Sequence, residues 1–367
     1  MMRCESFKLS PVMMCSVLVF ALVVAIICRS TSNALSNPSV FAEWNVLNYT
    51  WDATHTYSNY HQTNQYIPQN CALAGIAVDK MGSVYVTVPR WRTGVPATLN
   101  KLELNPSTNV YTLTPYPSWD MQIVGDTNGI QSCQAAYVDS HNFLWAVDTG
   151  RRNLLSVSPA AYVDGTPTLW VFDLATGANT YTYRFPADVA SPSNSFLNDI
   201  VLDEVNRVAY FTDSWGSGAL ITLDLATGLS RRYSGISTAN QPNYVMIIDG
   251  TNYGSGIFTT PSDGIALTED YDALFYCAVQ GNTLYRLPTS ILRNFSTSAA
   301  DIDAAVEIVG TKNPSDGMKY LQGLLYYGDL VNTTFHALEI TATSDPNIAT
   351  EAVTALSNPD QLRWVSY

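Results

Sequence analysis

PSDGIALTEDYDALFYCA, residues 261–278, has an echo in PSDGMKYLQGLLYYGDL, residues 314–330. Each stretch opens on Pro-Ser-Asp-Gly and enters a run of small and apolar residues. Each then turns on polar residues and ends in a second run dense in aromatic and β-branched side chains. Alternation around short Asp/Asn/Gly turns predicts β-hairpins. The same plan is found in LAGIAVDKMGSVYVTVP (73–89), CQAAYVDSHNFLWAVDT (133–149) and NDIVLDEVNRVAYFTDS (198–214), so the unit recurs every 53–65 residues. A third strand often follows, as in TLNKLEL, GALITLDL, NTLYRLP and TFHALEI. A fourth shows in VYTLTPY, TYTYRF and AVEIVG. DLATG, at 173–177 and 224–228, marks the turn between third and fourth strands.

Four antiparallel strands recurring at this period predict an all-β chain, a six-bladed β-propeller of four-stranded antiparallel blades. A β-sandwich would satisfy the alternation, but it needs no repeat of fixed internal order. Innermost strands converge on the axis, which accounts for Gly75, Ala77, Ala135, Ala136, Gly264, Ala266 and Gly317 at their starts. Five units are visible. NPDQLRWVSY (358–367) reads as the approach to a sixth inner strand, so the sixth blade is expected to be incomplete at the C-terminus. FAEWNVLNYTW (41–51) reads as an outer strand that would close the ring.

The first 34 residues read as a secretory leader: Arg3 and Lys8, an uncharged run from Val12 to Cys28, and a small-residue cleavage site at Ala34. The run is 17 residues long, so an uncleaved anchor is the alternative, although a span needs about 20. Residues 35–367 are expected to form one propeller domain that is secreted and, after cleavage, free of the membrane. The formal charge of the chain is −13, and losing Arg3, Lys8, Arg29 and Glu5 makes it two units more negative. Such a chain repels phosphate backbones, which argues against nucleic acid, and steers small cations inward. Asn48, Asn294 and Asn332 lie in N-x-S/T sequons, candidate glycosylation sites. Beyond the leader only Cys71, Cys133 and Cys277 remain. Cys71 and Cys133 both precede inner strands of adjacent blades and are the candidate disulfide, although sequence leaves the linkage open.

Several longer blocks carry a family likeness: EWNVLNY (43–49), YIPQNCALAGIAVD (66–79), VYVTVPRWRTGVPATLNKL (84–102), LWAVDTGRRN (144–153), DGIALTEDYDALFYC (263–277) and LYRLPTSILRN (284–294). They resemble the yellow / major royal jelly protein family, and PRWRTGVPATLN is the most specific of them. The resemblance implies a secreted six-bladed propeller with a ligand pocket at one mouth of its central tunnel. It also implies a role in melanin formation, dopachrome conversion, amine binding or nutritive secretion. Family members carry a cysteine pair around the second blade; here His141 stands at the later position and Cys133 near the earlier one.

Antiparallel order locates the mouth, because first strands start where second strands end. Starts give Ala74, Gln134, Asp199, Asp263 and Asp316; ends give Arg90, Trp91, Asp148, Arg151, Asp213, Trp215, Gln280 and Asp329. Asp199, Asp263 and Asp316 form the sharpest constellation. They would hold a cation, either Ca²⁺ or a protonated amine. Trp91 and Trp215 would offer ring faces. The bland reading is that these aspartates cap backbone amides. Arg90 and Arg92 would bind a substrate carboxylate or tie blades together, for example through Asp148. Asp148 and Arg151 would form a local pair. His55 and His61 are expected in a solvated loop, and no histidine spacing fits zinc. The lead function is binding of a small aromatic amine, a catechol or indole amine. No cofactor is required for it. The alternatives are an enzyme, by dopachrome conversion or Ca²⁺-dependent lactone hydrolysis, and a storage or matrix protein.

Overall fold

The computed structural model describes residues 40–155, 162, 166–248, 250–253, 260–332 and 334–340, with the strand backbones of Phe20–Val23 and Val353–Ser357. Five four-stranded antiparallel sheets follow one another, each laid down in chain order from its inner to its outer strand. Blade 1 holds Ile76–Val78, Val84–Thr87, Leu99–Asn105 and Val110–Pro115. Blade 2 holds Cys133–Val138, Phe143–Asp148, Thr168–Asp173 and Asn179–Arg184. Blade 3 holds Leu197–Asp203, Val208–Asp213, Ala219–Asp224 and Ser230–Tyr233. Blade 4 holds Ser262–Leu267, Ala273–Ala278, Thr283–Pro288 and Glu307–Thr311. Blade 5 holds Met318–Leu321, Leu324–Asp329, Thr334–Glu339 and Val353–Ser357.

The five sequence repeats thus become the inner hairpins of five blades. Inner strands of successive blades lie side by side, so the sheets share a hub rather than stacking as two layers. Lys319 of blade 5 reaches across that hub, its Nζ 5.1 Å from the ring centroid of Tyr137 in blade 2. The expected sixth inner strand, residues 358–367, lies outside the described residues. So does the leader, apart from Phe20–Val23, whose backbone pairs antiparallel with Val40–Trp44. Among the described residues no helix is long and apolar enough to cross a membrane.

The hub explains the small residues. A Cβ at Gly264 would stand 2.2 Å from the carbonyl oxygen of Asp316, and one at Gly75 would stand 2.9 Å from that of Gln134. Neighbouring inner backbones approach too closely for any side chain. The apolar core is divided accordingly. Separate clusters fill the seams between blades 1 and 2 (Ala77, Leu99, Ala136, Leu144), 2 and 3 (Val147, Leu169, Ile200, Phe211), 3 and 4 (Tyr210, Leu220, Ile265, Tyr276) and 4 and 5 (Ala266, Phe275, Met318, Tyr327). The DLATG turns work as expected: Asp173 and Asp224 each accept from the amide two residues on, with Gly177 and Gly228 at φ +74° and +72°.

Several features differ from the expectation or add to it. Residues 41–51, expected as an outer strand that closes the ring, run along the outer edge of blade 1. There Tyr49 bridges Leu113 in parallel, and the Trp44 indole donates to the Tyr111 carbonyl at 2.6 Å. His61 is exposed as expected, but His55 is half-buried. It stacks on Trp119 at 4.9 Å and pairs with Asp52 at 3.1 Å, within a cluster that includes Trp51 and Tyr60. Blade 4 carries an unforeseen pair of short helices, Thr289–Arg293 and Ala299–Ala305, the second capped by Ser298, which accepts from the Asp301 amide. The Ser-x-x-Asp spacing was the available signal.

The expected disulfide is corrected. Cys71, Cys133 and Cys277 are all buried free thiols. Cys71 points its Sγ at the carbonyls of Ile67 and Gly94, while Cys133 lies in the blade 1–2 seam with its Sγ toward the Ala135 carbonyl. Burial pushes the Cys71 thiol up to about 12 and the Cys133 thiol up as well. All three should therefore resist a thiol reagent in the native state and react together on unfolding. In protein lacking residues 1–34, three fast-reacting equivalents released only in denaturant would confirm this; a native protein that needs reductant first would refute it.

Candidate functional site

At the start of the inner hairpin in blades 2, 3 and 4 the register slips by one residue, between Cys133 and Ala135, Leu197 and Ile200, and Ser262 and Ile265. Such bulges re-aim side chains at a rim. Counted from the paired residues on either side, Gln134, Asn198 and Asp263 are equivalent, and Asp199 matches Gly264. The sequence alignment that equated Asp199 with Asp263 is therefore one residue out. Threonine hydroxyls lock these positions to the preceding blade: Thr87 Oγ1 donates to the Gln134 carbonyl at 2.8 Å and Thr212 Oγ1 to the Asp263 carbonyl at 2.7 Å.

The aspartates that end second strands fill the capping role. Asp148, fully buried, accepts from the amides of Gln131, Ser132 and Gly150 at 2.7–2.9 Å, and from the Trp170 indole at 3.4 Å. Asp213 accepts from the amides of Phe196 and Trp215 and pairs with Arg232 at 2.5 Å. Asp329 accepts from Val331, Asn332 and Asn313 and meets His336 at 3.3 Å. Burial alone would raise the Asp329 carboxyl; the His336 and asparagine hydrogen bonds win and hold it at about 2. Asp148 has no free oxygen for a ligand, so its expected ligand role is withdrawn.

Arg90 is withdrawn for the same reason. It is 3% exposed. Nε donates to Val95 O, Nη1 to Ile130 O and Gln131 O, and Nη2 to Pro96 O and Gln122 O, all at 2.6–3.0 Å. Five N–H groups meet five carbonyls, which fills the guanidinium completely. Burial lowers its pKa to about 10, with the Asp148 charge opposing. Arg90 ties blade 1 to the entry of blade 2, but through carbonyls rather than through Asp148.

Asp199, Asp263 and Asp316 do come together. Asp263 is nearly fully buried, and its Oδ2 accepts from Ser214 Oγ at 3.2 Å. Its carboxyl lies beside that of Asp316, and two like charges so placed disfavour each other's ionisation. Burial, then the Asp316 charge, raises Asp263 well above the usual carboxylate range; burial likewise raises Asp316. Asp199 is raised to about 7 by burial, with Asp316 adding and Lys319 opposing. Lys319, missed by sequence reading, is lowered by desolvation against the charges of Asp199, Glu204 and Glu269. Among the described residues no three His, Cys, Asp or Glu side chains meet in a geometry that would hold a metal ion.

The tryptophans split. Trp91 is half-buried and donates to Gln134 Oε1 at 3.0 Å. Trp215 is half-buried and carries the Arg151 guanidinium over its ring at 3.6 Å. Arg151 thus does not pair with Asp148 as the local reading expected. The chemical content of the mouth is a carboxyl triad, two indoles and one arginine.

The family model described as Major royal jelly protein matches residues 131–366. Protein yellow of Drosophila subobscura is 30% identical over 289 residues, which is 74% of this chain and 49% of that protein. Protein yellow of Drosophila melanogaster is 30% identical over 263 residues, 68% of this chain and 47% of that protein. The chain therefore spans about half the length of these relatives. Among solved structures, a chain of a nidogen/laminin complex is 12% identical with a TM-score of 0.47, covering 88% of this chain and 89% of that one. The family match encloses blades 2 to 5 and the whole carboxyl triad, and this chain belongs to the major royal jelly protein family.

Proposed function

We propose that this chain is a ligand-binding propeller that holds a small aromatic cation, a catechol or indole amine, with its ammonium on the Asp263–Asp316 pair and Asp199 beside it. The observation that carries the reading is the gathering of three carboxyls near the starts of three inner strands, Asp263 buried and Asp199 and Asp316 half-buried. Three acids so placed repel one another, and a cation relieves that repulsion in place of a proton. The acidic composition supports the same preference. Half-buried Trp91 adds an aromatic wall. Secretion and glycosylation belong to the same proposal, and Asn48, Asn294 and Asn332 are all exposed, which supports it.

Calorimetry with dopamine, serotonin and tyramine tests it. Aromatic amines stay protonated to about pH 9 or above, as lysine does, whereas Asp199 loses its proton near 7. Affinity should therefore rise from pH 6 to pH 8, and binding at pH 6 should release protons, seen as a heat that depends on buffer ionisation enthalpy. Heats no larger than dilution at both pH values would end the idea. The sign for stability is opposite. A carboxyl raised in the folded state contributes stability present below its unfolded value, and that stability is lost as pH rises through about 7. The free protein should thus lose thermal stability between pH 5 and 8, and ligand should restore it.

A carboxyl titrating near neutrality also suits general acid–base work. Asp199 gives the dopachrome-converting alternative its one specific support. Loss of dopachrome colour above the uncatalysed rate separates turnover from binding.

A further inference from the structure

We propose that the mouth takes its ligand as a zwitterion, with an anionic group on Arg151 at the seam of blades 2 and 3 while the ammonium sits on Asp263 and Asp316. This rests on the amine reading above and narrows it to ligands that carry a carboxylate as well as an ammonium, as an aromatic amino acid does.

Arg151 and Arg90 are buried alike, at 5% and 3% exposure, yet their surroundings differ. Arg90 has a carbonyl for every N–H. Among the described residues the Arg151 guanidinium makes one hydrogen bond, from Nη1 to Ser195 O at 3.3 Å, and otherwise lies over the Trp215 ring. Its Nε is buried with no partner. Among the described residues no carboxylate pairs with it. Asp213, the acid whose charge it feels, is already engaged by Arg232 at 2.5 Å and by two backbone amides. The adjacent Arg152 is half-buried, and its Nε too is buried without a partner. A guanidinium sequestered from water without a counter-ion is unfavourable. A planar carboxylate is the group its fork fits.

The two charges of the ligand have adjacent seats. Ser214 donates to Asp263 Oδ2 at 3.2 Å, and the next residue, Trp215, carries Arg151. Asp263 Oδ1 is buried and receives no donor hydrogen from the protein. Ser195, whose carbonyl holds Arg151, has a buried hydroxyl that is also unpartnered. One short stretch of blade 3 therefore backs an acid without a cation and a base without an anion.

The test is calorimetry on the full chain at pH 7.5 with L-tryptophan, tryptamine and L-tryptophan methyl ester, and with the same three forms of the DOPA series. The free amino acid should bind about tenfold or more tighter than its decarboxylated and esterified forms, since only it presents a charge-assisted acceptor. Arg151→Gln should bring that ratio to about one. Amines that bind as tightly as the amino acids overturn the zwitterion and leave the amine site standing. Failure of all six compounds overturns both. Should Arg151→Gln not fold, the wild-type ratios decide alone.

Discussion

Replacing Arg90 with alanine is expected to cost about 4 kcal/mol or more and to leave little folded protein. The side chain satisfies five carbonyls between residues 95 and 131. Its removal leaves those acceptors in a site with almost no water, and each unmet buried group costs about 1–3 kcal/mol before relaxation. Arg90→Lys should rescue only part of the loss, because an ammonium has three donors and no planar fork. Urea unfolding measures this. The midpoint should fall steeply in Arg90→Ala, with an unchanged slope. A midpoint close to wild type would mean that the blade 1–2 seam does not depend on this residue.

The double change Asp263→Asn with Asp316→Asn should move two properties in opposite directions. Amine affinity should fall about a hundredfold, about 2.7 kcal/mol, because the ammonium loses both carboxylates. Stability at pH 8 should rise, because the amides remove the pair's charge repulsion, and the amide oxygen introduced at position 263 would still accept from Ser214. Its fall between pH 5 and 8 should shrink as well. A protein that binds less and is also less stable would show the pair to be structural. Unchanged affinity would remove it from the site.

Much of the site was ambiguous in sequence for a reason particular residues show. Asp148, Asp213, Asp263 and Asp316 all flank apolar runs near turns, and nothing local distinguishes an aspartate that caps amides from one that faces another aspartate. The difference lies in which strand end each occupies and what the next blade places opposite. Arg90 and Arg151 likewise both follow second strands. One meets a loop rich in free carbonyls and the other meets an indole, and those partners lie up to 64 residues away. The one-residue offset of Asp199 was hidden because a bulge leaves no mark in hydrophobic alternation. Cys71 and Cys133 were close enough in blade order to invite pairing, but the direction of each Sγ decides, and the two point into different clusters.

The sequence by itself determined the repeat, the order of strands in five blades, the small residues at the hub and the end of the molecule where acids gather, because period, alternation and turn chemistry are local properties of the chain. Only the tertiary structure decided which of those acids are spent on backbone amides and which face one another, and which arginine lacks a counter-ion. Those outcomes depend on burial and on partners brought from other blades, and electrostatic energy is set by distance and solvent rather than by neighbours in the chain.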